Sequence, residues 1–281
     1  MPELAYVNGT FFPIEEAMVP VEDRGYQFGD AVYEVIASYD GRLVFMDEHM
    51  ARLDRSLKEL SFPKISIDQI RSAVTELFDR AKIERAEIYI QISRGVAPRT
   101  HAFPDYADTQ FIMTARKVTE VPEDIRQQGA KAIIVKDLRW GRCDIKTVQL
   151  LYNVLAKQKA LDSGAFDAIF VSKDDIVREA TSSNLFIVAD RKLITHPLTP
   201  DILPGITRAK LIEICAKQNL QVSEQFYNKE ELLKSDEVFL TGTISEVLSI
   251  VKIDGFKIGN GKVGTITKKL FDALVARSKQ K

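Results

Sequence analysis

Cysteine is nearly absent from this chain: two of its 281 residues, Cys143 and Cys215, lie far apart in the sequence. Such a pair makes neither a disulfide framework nor the closely spaced ligand set of a structural zinc site. The three histidines, His49, His101 and His196, are equally scattered. We therefore expect no metal site, and a chain that works in a reducing compartment.

Long apolar runs are also absent, as is an excess of charge of one sign. No apolar stretch approaches the roughly 20 residues that a membrane helix needs, and the first residues lack the basic and then apolar pattern of a secretion signal. The 39 basic and 40 acidic side chains leave a net charge of -1, which argues against a nucleic-acid or anionic-membrane partner. We predict a soluble, cytoplasmic protein.

The remaining composition is that of an ordinary globular protein. Hydrophobic residues make up 45% and charged residues 28%, and the length suits one large domain or two ordinary ones. A polar stretch broken by Pro122 predicts a linker over residues 119–125. It separates a predicted N-terminal domain, residues 1–118, from a predicted C-terminal domain, residues 126–281.

Strand and helix patterns alternate irregularly along the chain. Asn-Gly or Asp-Gly pairs at residues 8–9, 40–41 and 254–255 predict hairpins. Asp47 is predicted to cap the N-terminus of one helix, and Gly164 the C-terminus of another over residues 147–163. Further helices are predicted over residues 66–80 and from 206 and 265, with strands over 87–93, 110–116, 132–135, 167–172, 176–179, 185–188, 193–195 and 238–241. These elements predict a mixed α/β fold, without the regular alternation of a βα barrel.

Lys146 lies between the apolar run 132–135 and the predicted helix that follows it. Loops at such junctions carry chemistry on a rigid frame. An amine shielded from water loses some of its affinity for protons and can attack a carbonyl to form a Schiff base. The alternative is a solvated surface lysine.

Three features could hold a phosphate. Gly205 precedes a predicted helix whose first N–H groups, those of Ile206 and Thr207, carry partial positive charge. Thr243 lies in a second small turn, and Arg52 could add a cation. Each also has a plain structural interpretation, as an ordinary turn or a solvated helix face.

Glu179 ends a predicted strand and precedes the polar stretch 180–184. It is either a turn residue or an anion held against a ring nitrogen. A pyridine nitrogen keeps its proton when a carboxylate lies within hydrogen-bond range, and the protonated ring then withdraws electrons from a carbon being deprotonated.

Arg99 and His101 are two residues apart, so in extended chain they project from the same side. An arginine fork and an imidazole can together bind one carboxylate through charge-assisted hydrogen bonds. A basic surface loop is the equally weighted alternative.

Several stretches follow one another in an order that is typical of a known family. They are residues 22–30 (EDRGYQFGD), 32–35 (VYEV), 98–101 (PRTH), 139–140 (RW), 142–146 (RCDIK) and 182–184 (SSN). Together they resemble the fold-type IV pyridoxal-phosphate-dependent enzymes, which include D-amino-acid and branched-chain aminotransferases and aminodeoxychorismate lyase. The resemblance covers nearly the whole chain and is closest to the D-amino-acid aminotransferases.

The resemblance implies a two-domain α/β (α+β mixed) fold, in which a smaller N-terminal α/β domain precedes a larger C-terminal domain with a barrel-like mixed sheet. It implies pyridoxal 5'-phosphate (PLP) as cofactor, and a ping-pong transamination of a D-amino acid such as D-alanine with a 2-oxo acid such as 2-oxoglutarate through a lysine Schiff base. It also implies a homodimer with active sites shared across the interface.

The resemblance assigns roles to matching residues. Lys146 is the catalytic residue that holds the cofactor and moves the proton, and Glu179 pairs with the pyridine nitrogen. The other implied cofactor contacts are Arg52, Ile206, Thr207 and Thr243 at the phosphate, Leu203 against the ring, and Arg139, which orders the site. The implied substrate-carboxylate contacts are Tyr33 and, from the neighbouring subunit, Arg99 and His101.

Two departures bear on substrate preference. Gly242-Thr243-Ile244 stands where the family's enzyme has Ser-Thr-Thr, and Ala180-Thr181 replaces a Gly-Ser pair next to Glu179. The alternatives are a branched-chain L-aminotransferase or aminodeoxychorismate lyase of the same fold, and, in another class, a catalytically idle cofactor-binding protein.

Overall fold

A computed structural model describes residues 3–279 as two compact units. The first unit contains the described residues up to Thr119 together with Ile145–Gln149. The second contains Glu120–Asp144 and the chain from Leu150 onward. Lys146 therefore belongs to the first unit, although we expected residues 126–281 to form one domain.

The first unit is built on a six-stranded antiparallel sheet. Its strands are β1 (Leu4–Val7), β2 (Thr10–Pro13), β3 (Ala31–Tyr39), β4 (Arg42–Leu43), β5 (Ala86–Ser93) and β6 (Gln110–Lys117), in the spatial order β2-β1-β6-β5-β3-β4. Its helices are the 3₁₀ turn Ile14–Glu16, α1 (Arg24–Phe28), α2 (Met46–Glu59) and α3 (Ile67–Ala81). Alternate strand residues such as Ile88 and Ile90 pack with Leu53 of α2 and Leu77 of α3, because strand side chains alternate between faces.

The second unit contains nine strands and five helices among its described residues. The strands are β7 (Ala130–Lys136), β8 (Asp167–Val171), β9 (Val177–Ala180), β10 (Asn184–Ala189), β11 (Lys192–Thr195), β12 (Val222–Glu224), β13 (Glu237–Gly242), β14 (Glu246–Ile253) and β15 (Phe256–Lys257). The helices are α4 (Glu123–Gln128), α5 (Leu151–Asp162), α6 (Ile206–Lys217), α7 (Lys229–Lys234) and the C-terminal α8 (Thr265–Lys279), of which α4 occupies part of the predicted linker.

Part of this second sheet closes into a ring. The order β10-β13-β14-β7-β8-β9 returns to β10 through one pair, Asn184 with Glu179. Both parallel and antiparallel neighbours occur in this ring, so the prediction of a barrel-like mixed sheet is confirmed. Apolar residues such as Leu185 and Leu240 fill one side of the sheet, while Phe186 and Phe239 pack on the other side with residues of α6 and α8.

The three predicted hairpins are confirmed, and two helix predictions need correction. Asp47 is not an N-cap: the helix is preceded by Phe45, which makes no side-chain cap, and Asp47 lies in its first turn and pairs with Arg71. The helix predicted from residue 147 begins at Leu151, because residues before it pair with β3. Gly164, with a φ of +69°, directly follows the C-cap residue Ser163.

No helix within residues 3–279 has the length and apolar character that crossing a membrane requires.

Candidate active site

The backbone around Lys146 is fixed to the edge of β3 and to α2. The N–H of Tyr33 donates to the carbonyl of Lys146 at 2.9 Å, and the N–H of Lys146 donates to the buried hydroxyl of Ser56 at 3.4 Å. The half-buried amine lies 4.2 Å from the centre of the Tyr33 ring, which itself stacks on Tyr89. The Tyr33 ring thus lies against the lysine amine, which distinguishes Lys146 from a fully solvated surface lysine.

A buried charge cluster lies in the same unit. Glu34 is fully buried, and its carboxylate accepts two hydrogen bonds from Arg52, at 2.7 and 2.8 Å. It also contacts His49 Nδ1 at 2.7 Å. Burial works against the charge on Glu34, but Arg52 and His49 outweigh it and lower the pKa of Glu34 to about 2. The buried carboxylate of Glu34 therefore fixes the orientation of the Arg52 guanidinium.

The surroundings of His49 disfavour its charged form. Burial lowers the pKa of His49, and its bond to Glu34 opposes this only in part. An ionised carboxylate can only accept, so Nδ1 of His49 donates to Glu34.

In the second unit, Arg139 joins two carboxylates. Its Nη1 donates to Glu179 at 2.6 Å, and its Nε and Nη2 donate to Asp137 at 3.0 and 2.8 Å. Arg178 also donates to Asp137, at 2.8 Å. Burial opposes ionisation of Asp137, but its two arginine partners lower its pKa below the ordinary range. Asp137 therefore stays charged and holds the Arg139 fork against Glu179.

Glu179 is buried at the point where β9 meets β10. Its Oε2 accepts from Asn184 Nδ2 at 3.0 Å and from the N–H of Leu203 at 3.1 Å, while Oε1 accepts from Arg139. Burial raises the pKa of Glu179, and Arg139 opposes that rise. A carboxylate here favours a further positive partner, since its surroundings disfavour an uncompensated charge.

Asn184 links Glu179 to the start of α6. The same amide nitrogen donates to the carbonyl of Leu203 at 2.8 Å. A Cβ placed on Gly205 would lie 2.0 Å from Asn184 Oδ1, so glycine is needed for this close approach.

The N-terminus of α6 presents backbone donors. Its N-cap, Gly205, provides no side-chain cap, and both Ile206 and Thr207 are buried. The first N–H groups of a helix have no partner within the helix and carry partial positive charge, which suits a phosphate.

The turn that contains Thr243 lies between β13 and β14. Beside it, the hydroxyls of Ser183 and Ser245 lie 3.2 Å apart. A Cβ on Gly242 would come within 2.7 Å of the Ser245 hydroxyl and 3.0 Å of the Ser183 hydroxyl. Two serine hydroxyls from other positions therefore occupy the space that a residue-242 side chain would need.

Arg99 and His101 both pack against Phe28. Both are exposed; the Arg99 guanidinium lies 5.0 Å from the Phe28 ring centre, and the His101 ring packs on Phe28 edge to face at 5.7 Å. Among the described residues, no hydrogen bond or ring contact joins either of them to Tyr33 or Lys146.

Residues 31–253 match the sequence profile of the family described as Amino-transferase class IV. The match spans most of the 281 residues and contains the segments around Lys146 and Glu179.

The chain belongs to this family.

This class IV chain is similar to bacterial D-alanine aminotransferases. It is 42% identical over 268 residues to the D-alanine aminotransferase of Bacillus licheniformis, covering 95% of this chain and 94% of that protein. It is 41% identical over 266 residues to that of Staphylococcus haemolyticus, covering 94% of each.

Solved branched-chain amino acid aminotransferases share its fold. That of Escherichia coli superposes with a TM-score of 0.91 at 27% identity, covering all of this chain and 97% of that one. That of Thermobaculum terrenum, solved in its PLP form, gives a TM-score of 0.85 at 26% identity, covering 99% of this chain and 94% of that one. These likenesses confirm the fold-type IV fold class expected from the motifs.

The predicted site residues fall into separate groups. The first unit contains Tyr33, Arg52, Arg99, His101 and Lys146. The second contains Arg139, Glu179, Leu203, Ile206, Thr207 and Thr243.

Four residues that organise these groups escaped the sequence reasoning: Glu34, His49, Asp137 and Asn184. Two carried a readable signal. Glu34 is the one charged residue in the mostly apolar β3, and His49 lies three residues before Arg52, on the same helix face. The long-range pairing of Asn184 with Glu179 and Leu203 had no local signal.

Proposed function

We propose that this class IV aminotransferase transfers the amino group of a D-amino acid, such as D-alanine, to a 2-oxo acid, such as 2-oxoglutarate. The observation that carries the proposal is the 38–42% identity to D-alanine aminotransferases over about 95% of the chain. Donor and acceptor bind in turn, so the reaction is of the ping-pong type.

The cofactor is pyridoxal 5'-phosphate, and the residues present suit it. An uncapped helix N-terminus behind Gly205 suits the phosphate, through the N–H groups of Ile206 and Thr207. The buried Glu179 suits a protonated ring nitrogen. Arg52 and Thr243 are proposed as further phosphate contacts, and Leu203 as a contact to the ring. When bound, the cofactor supplies an aldehyde for covalent attachment and a ring that accepts electron density from the substrate carbon.

Lys146 is the proposed catalytic residue. It would hold the cofactor covalently until the amino group of the substrate displaces it; its freed Nζ would then take the proton from the α-carbon of the amino acid and deliver it to the carbon that carried the aldehyde. The hydrogen bonds from Tyr33 and to Ser56 hold its backbone, so the amine works from a fixed base. Arg139, held by Asp137, favours the charged form of Glu179 and orients its carboxylate.

The substrate carboxylate is proposed to bind Tyr33 together with Arg99 and His101 of a neighbouring subunit. Exposure of Arg99 and His101 in the single chain supports this assignment. A homodimer is further supported by an exposed apolar stripe on α5, where Leu151, Val154 and Leu155 are 73%, 59% and 57% exposed. Contiguous apolar surface of this kind marks interaction sites.

We also propose that the protein is cytoplasmic. Both cysteines are free thiols, as expected for a reducing compartment.

A branched-chain L-aminotransferase is the second candidate. It is favoured by the TM-scores of 0.91 and 0.85 to branched-chain enzymes. The lower identity to these proteins, 27% and 26%, ranks it below the D-alanine proposal.

A panel of resolved D- and L-amino acids, each with 2-oxoglutarate, tests the proposal. We expect turnover of D-alanine and a shift of the cofactor's visible absorption when D-alanine is added. Consumption of L-leucine but not D-alanine would select the second candidate.

Lys146→Ala provides the mechanistic test of the same proposal. We expect kcat to fall by at least about 10²–10⁴, the contribution of a positioned general base. The absorption band of the lysine-bound cofactor should also vanish. Transamination by Lys146→Ala at a near wild-type rate would refute the catalytic assignment.

A further inference from the structure

The loop that carries Arg99 and His101 is held by a second set of residues. We name residues 98–103 the clamp loop. We propose that Arg24 and Phe28, at opposite ends of α1, position the clamp loop so that Arg99 and His101 are ordered before the substrate carboxylate arrives. This inference rests on the proposed role of Arg99 and His101 in binding that carboxylate.

Arg24 holds the backbone of the clamp loop. Its side chain is buried, with 3% exposed, yet its guanidinium reaches three consecutive carbonyl groups. Nη1 donates to Thr100 at 2.7 Å and to Ala102 at 3.2 Å, and Nη2 donates to His101 at 3.5 Å. A planar fork fits such an array, whereas a lysine ammonium does not.

Phe28 holds the side chains of the same loop. One ring contacts the Arg99 guanidinium at 5.0 Å and the His101 ring at 5.7 Å, and Arg24 lies 4.9 Å from its centre. Cations are attracted to an aromatic face, and aromatic rings favour edge-to-face packing. The two proposed substrate ligands therefore share one apolar support.

The support itself is anchored. Asp30 accepts from Arg24 Nε at 2.9 Å and from Arg94 Nε at 2.8 Å. Arg94 in turn lies 3.7 Å from the ring centre of Phe103, the last residue of the clamp loop. Asp23 caps α1 through the N–H groups of residues 25 and 26 and accepts from the Ser93 hydroxyl. Asp23 thus ties the start of α1 to β5, and Arg94, which directly follows β5, contacts both Asp30 and one end of the loop.

This arrangement reduces the conformational entropy that the clamp loop loses when the substrate carboxylate binds. A long exposed loop must lose conformational freedom when its side chains bind a ligand, and a loop ordered in advance loses less. Arg24 and Phe28 need not touch the substrate to affect its affinity, so we class them as positioning residues.

The test is carboxylate affinity in the cofactor-loaded protein. Phe28→Leu removes the ring but keeps an apolar side chain at a half-buried site. We expect the Kd for propionate and the KM for D-alanine to rise about three- to tenfold, the range of a cation–π contact. We expect kcat and the Kd for the cofactor to stay within about twofold, because anchoring of the carboxylate is uniform binding.

Three further variants complete the experiment. Phe28→Tyr keeps the ring and should restore wild-type affinity, while Arg24→Lys, which keeps the charge but not the fork, should weaken propionate binding as Phe28→Leu does. Arg80→Gln is the matched control: it removes an arginine that lies 4.2 Å from the Phe11 ring on another part of the same unit. It should change neither affinity.

The outcomes separate this inference from the proposed function. If Arg99→Gln weakens propionate binding but Phe28→Leu does not, the positioning role is wrong and the proposed function stands. If Phe28→Leu weakens cofactor binding as much as propionate binding, its role is merely structural and the inference also fails. If Arg99→Gln leaves propionate binding unchanged, the carboxylate assignment itself fails, and the inference with it.

Discussion

At the residue scale, the environment of Glu179 shows how a buried carboxylate is kept in one orientation. One oxygen faces Arg139 and the other accepts from Asn184 and from the N–H of Leu203. Arg139 supplies charge, whereas Asn184 supplies direction, since its amide also binds the Leu203 carbonyl. We therefore expect the loss of Arg139 and the loss of Asn184 to affect Glu179 in different ways.

Asn184→Ala removes the directional partner and leaves the charge. We expect kcat for the proposed transamination to fall about 10- to 100-fold, since a hydrogen bond to a charged group contributes about 1.5–3 kcal/mol. The measurement is kcat with saturating D-alanine and 2-oxoglutarate.

Asn153→Ala is the control for that variant. Asn153 also donates to a carbonyl at 2.8 Å, that of Thr181, but among the described residues it makes no hydrogen bond with Glu179. Its kcat should stay within about twofold of wild type. Equal activity of the two variants would contradict the role of Asn184.

At the element scale, the approach of α6 to β10 depends on one glycine. Gly205→Ala would place a Cβ 2.0 Å from Asn184 Oδ1, and the two hydrogen bonds of Asn184 oppose its movement. We expect unfolding free energy to fall by about 1–3 kcal/mol, the range for overpacking, and cofactor affinity to fall with it.

Gly141→Ala is the matched control, because a Cβ at residue 141 meets no atom within 4 Å. Urea unfolding and cofactor titration of both variants measure the difference. If Gly205→Ala is as stable as Gly141→Ala and binds the cofactor equally well, the close approach of Gly205 to Asn184 contributes neither to stability nor to cofactor binding.

The contact between β3 and α2 is held by Glu34 with Arg52 and His49, and it should be sensitive to acid. The pKa of Glu34 is about 2 in the folded protein against an ordinary value of 4.5. The unfolded state therefore binds the proton more readily, so the stability from ionised Glu34 is present above pH 4.5 and lost as the pH falls toward 2.

Glu34→Gln should lower the free energy of unfolding at pH 7 by about 3–5 kcal/mol, since it leaves Arg52 buried without its anion. Its stability should also depend less on pH between 4.5 and 2 than that of wild type. Asp54→Asn, which breaks the exposed pair with Lys58, is the control and should cost less than about 1 kcal/mol. The measurement is urea unfolding of the wild type and both variants across this pH range. Equal acid sensitivity of Glu34→Gln and wild type would contradict the stabilising role assigned to ionised Glu34.

At the scale of the whole molecule, the proposed sharing of active sites across a homodimer can be tested by mixing two variants of the chain. Lys146→Ala removes the catalytic amine from every site of its own homodimer, and Arg99→Gln weakens carboxylate binding at every site of its own. If Arg99 acts on the neighbouring subunit, a mixed dimer combines Lys146 and Arg99 in one intact site. Random exchange of subunits should therefore restore about a quarter of the wild-type sites.

The measurement is turnover at a D-alanine concentration well below the KM of Arg99→Gln, after the two variants are mixed under conditions that allow subunit exchange. Mixing each variant with itself is the control and should restore nothing. If exchange is verified by mass and no activity returns, Arg99 acts within its own subunit and the shared-site proposal is wrong.

Much of this protein follows from its sequence alone. Hairpins at Asn8-Gly9, Asp40-Gly41 and Asp254-Gly255 were predictable because positive φ angles at such pairs are a local property. The family, and hence the fold class, followed from short motifs around Lys146 and Glu179, whose order the chain preserves.

Tertiary structure decided which groups hold the candidate functional residues. Arg24 reaches the carbonyl of Thr100 across 76 positions, and Asn184 joins Glu179 to Leu203. Helix α5 begins at Leu151 and not at the predicted residue 147, because the segment around Lys146 pairs with β3, over 100 residues earlier in the chain. Turn chemistry and periodicity act over a few residues, whereas the partner of a buried polar group is chosen by packing across the whole fold.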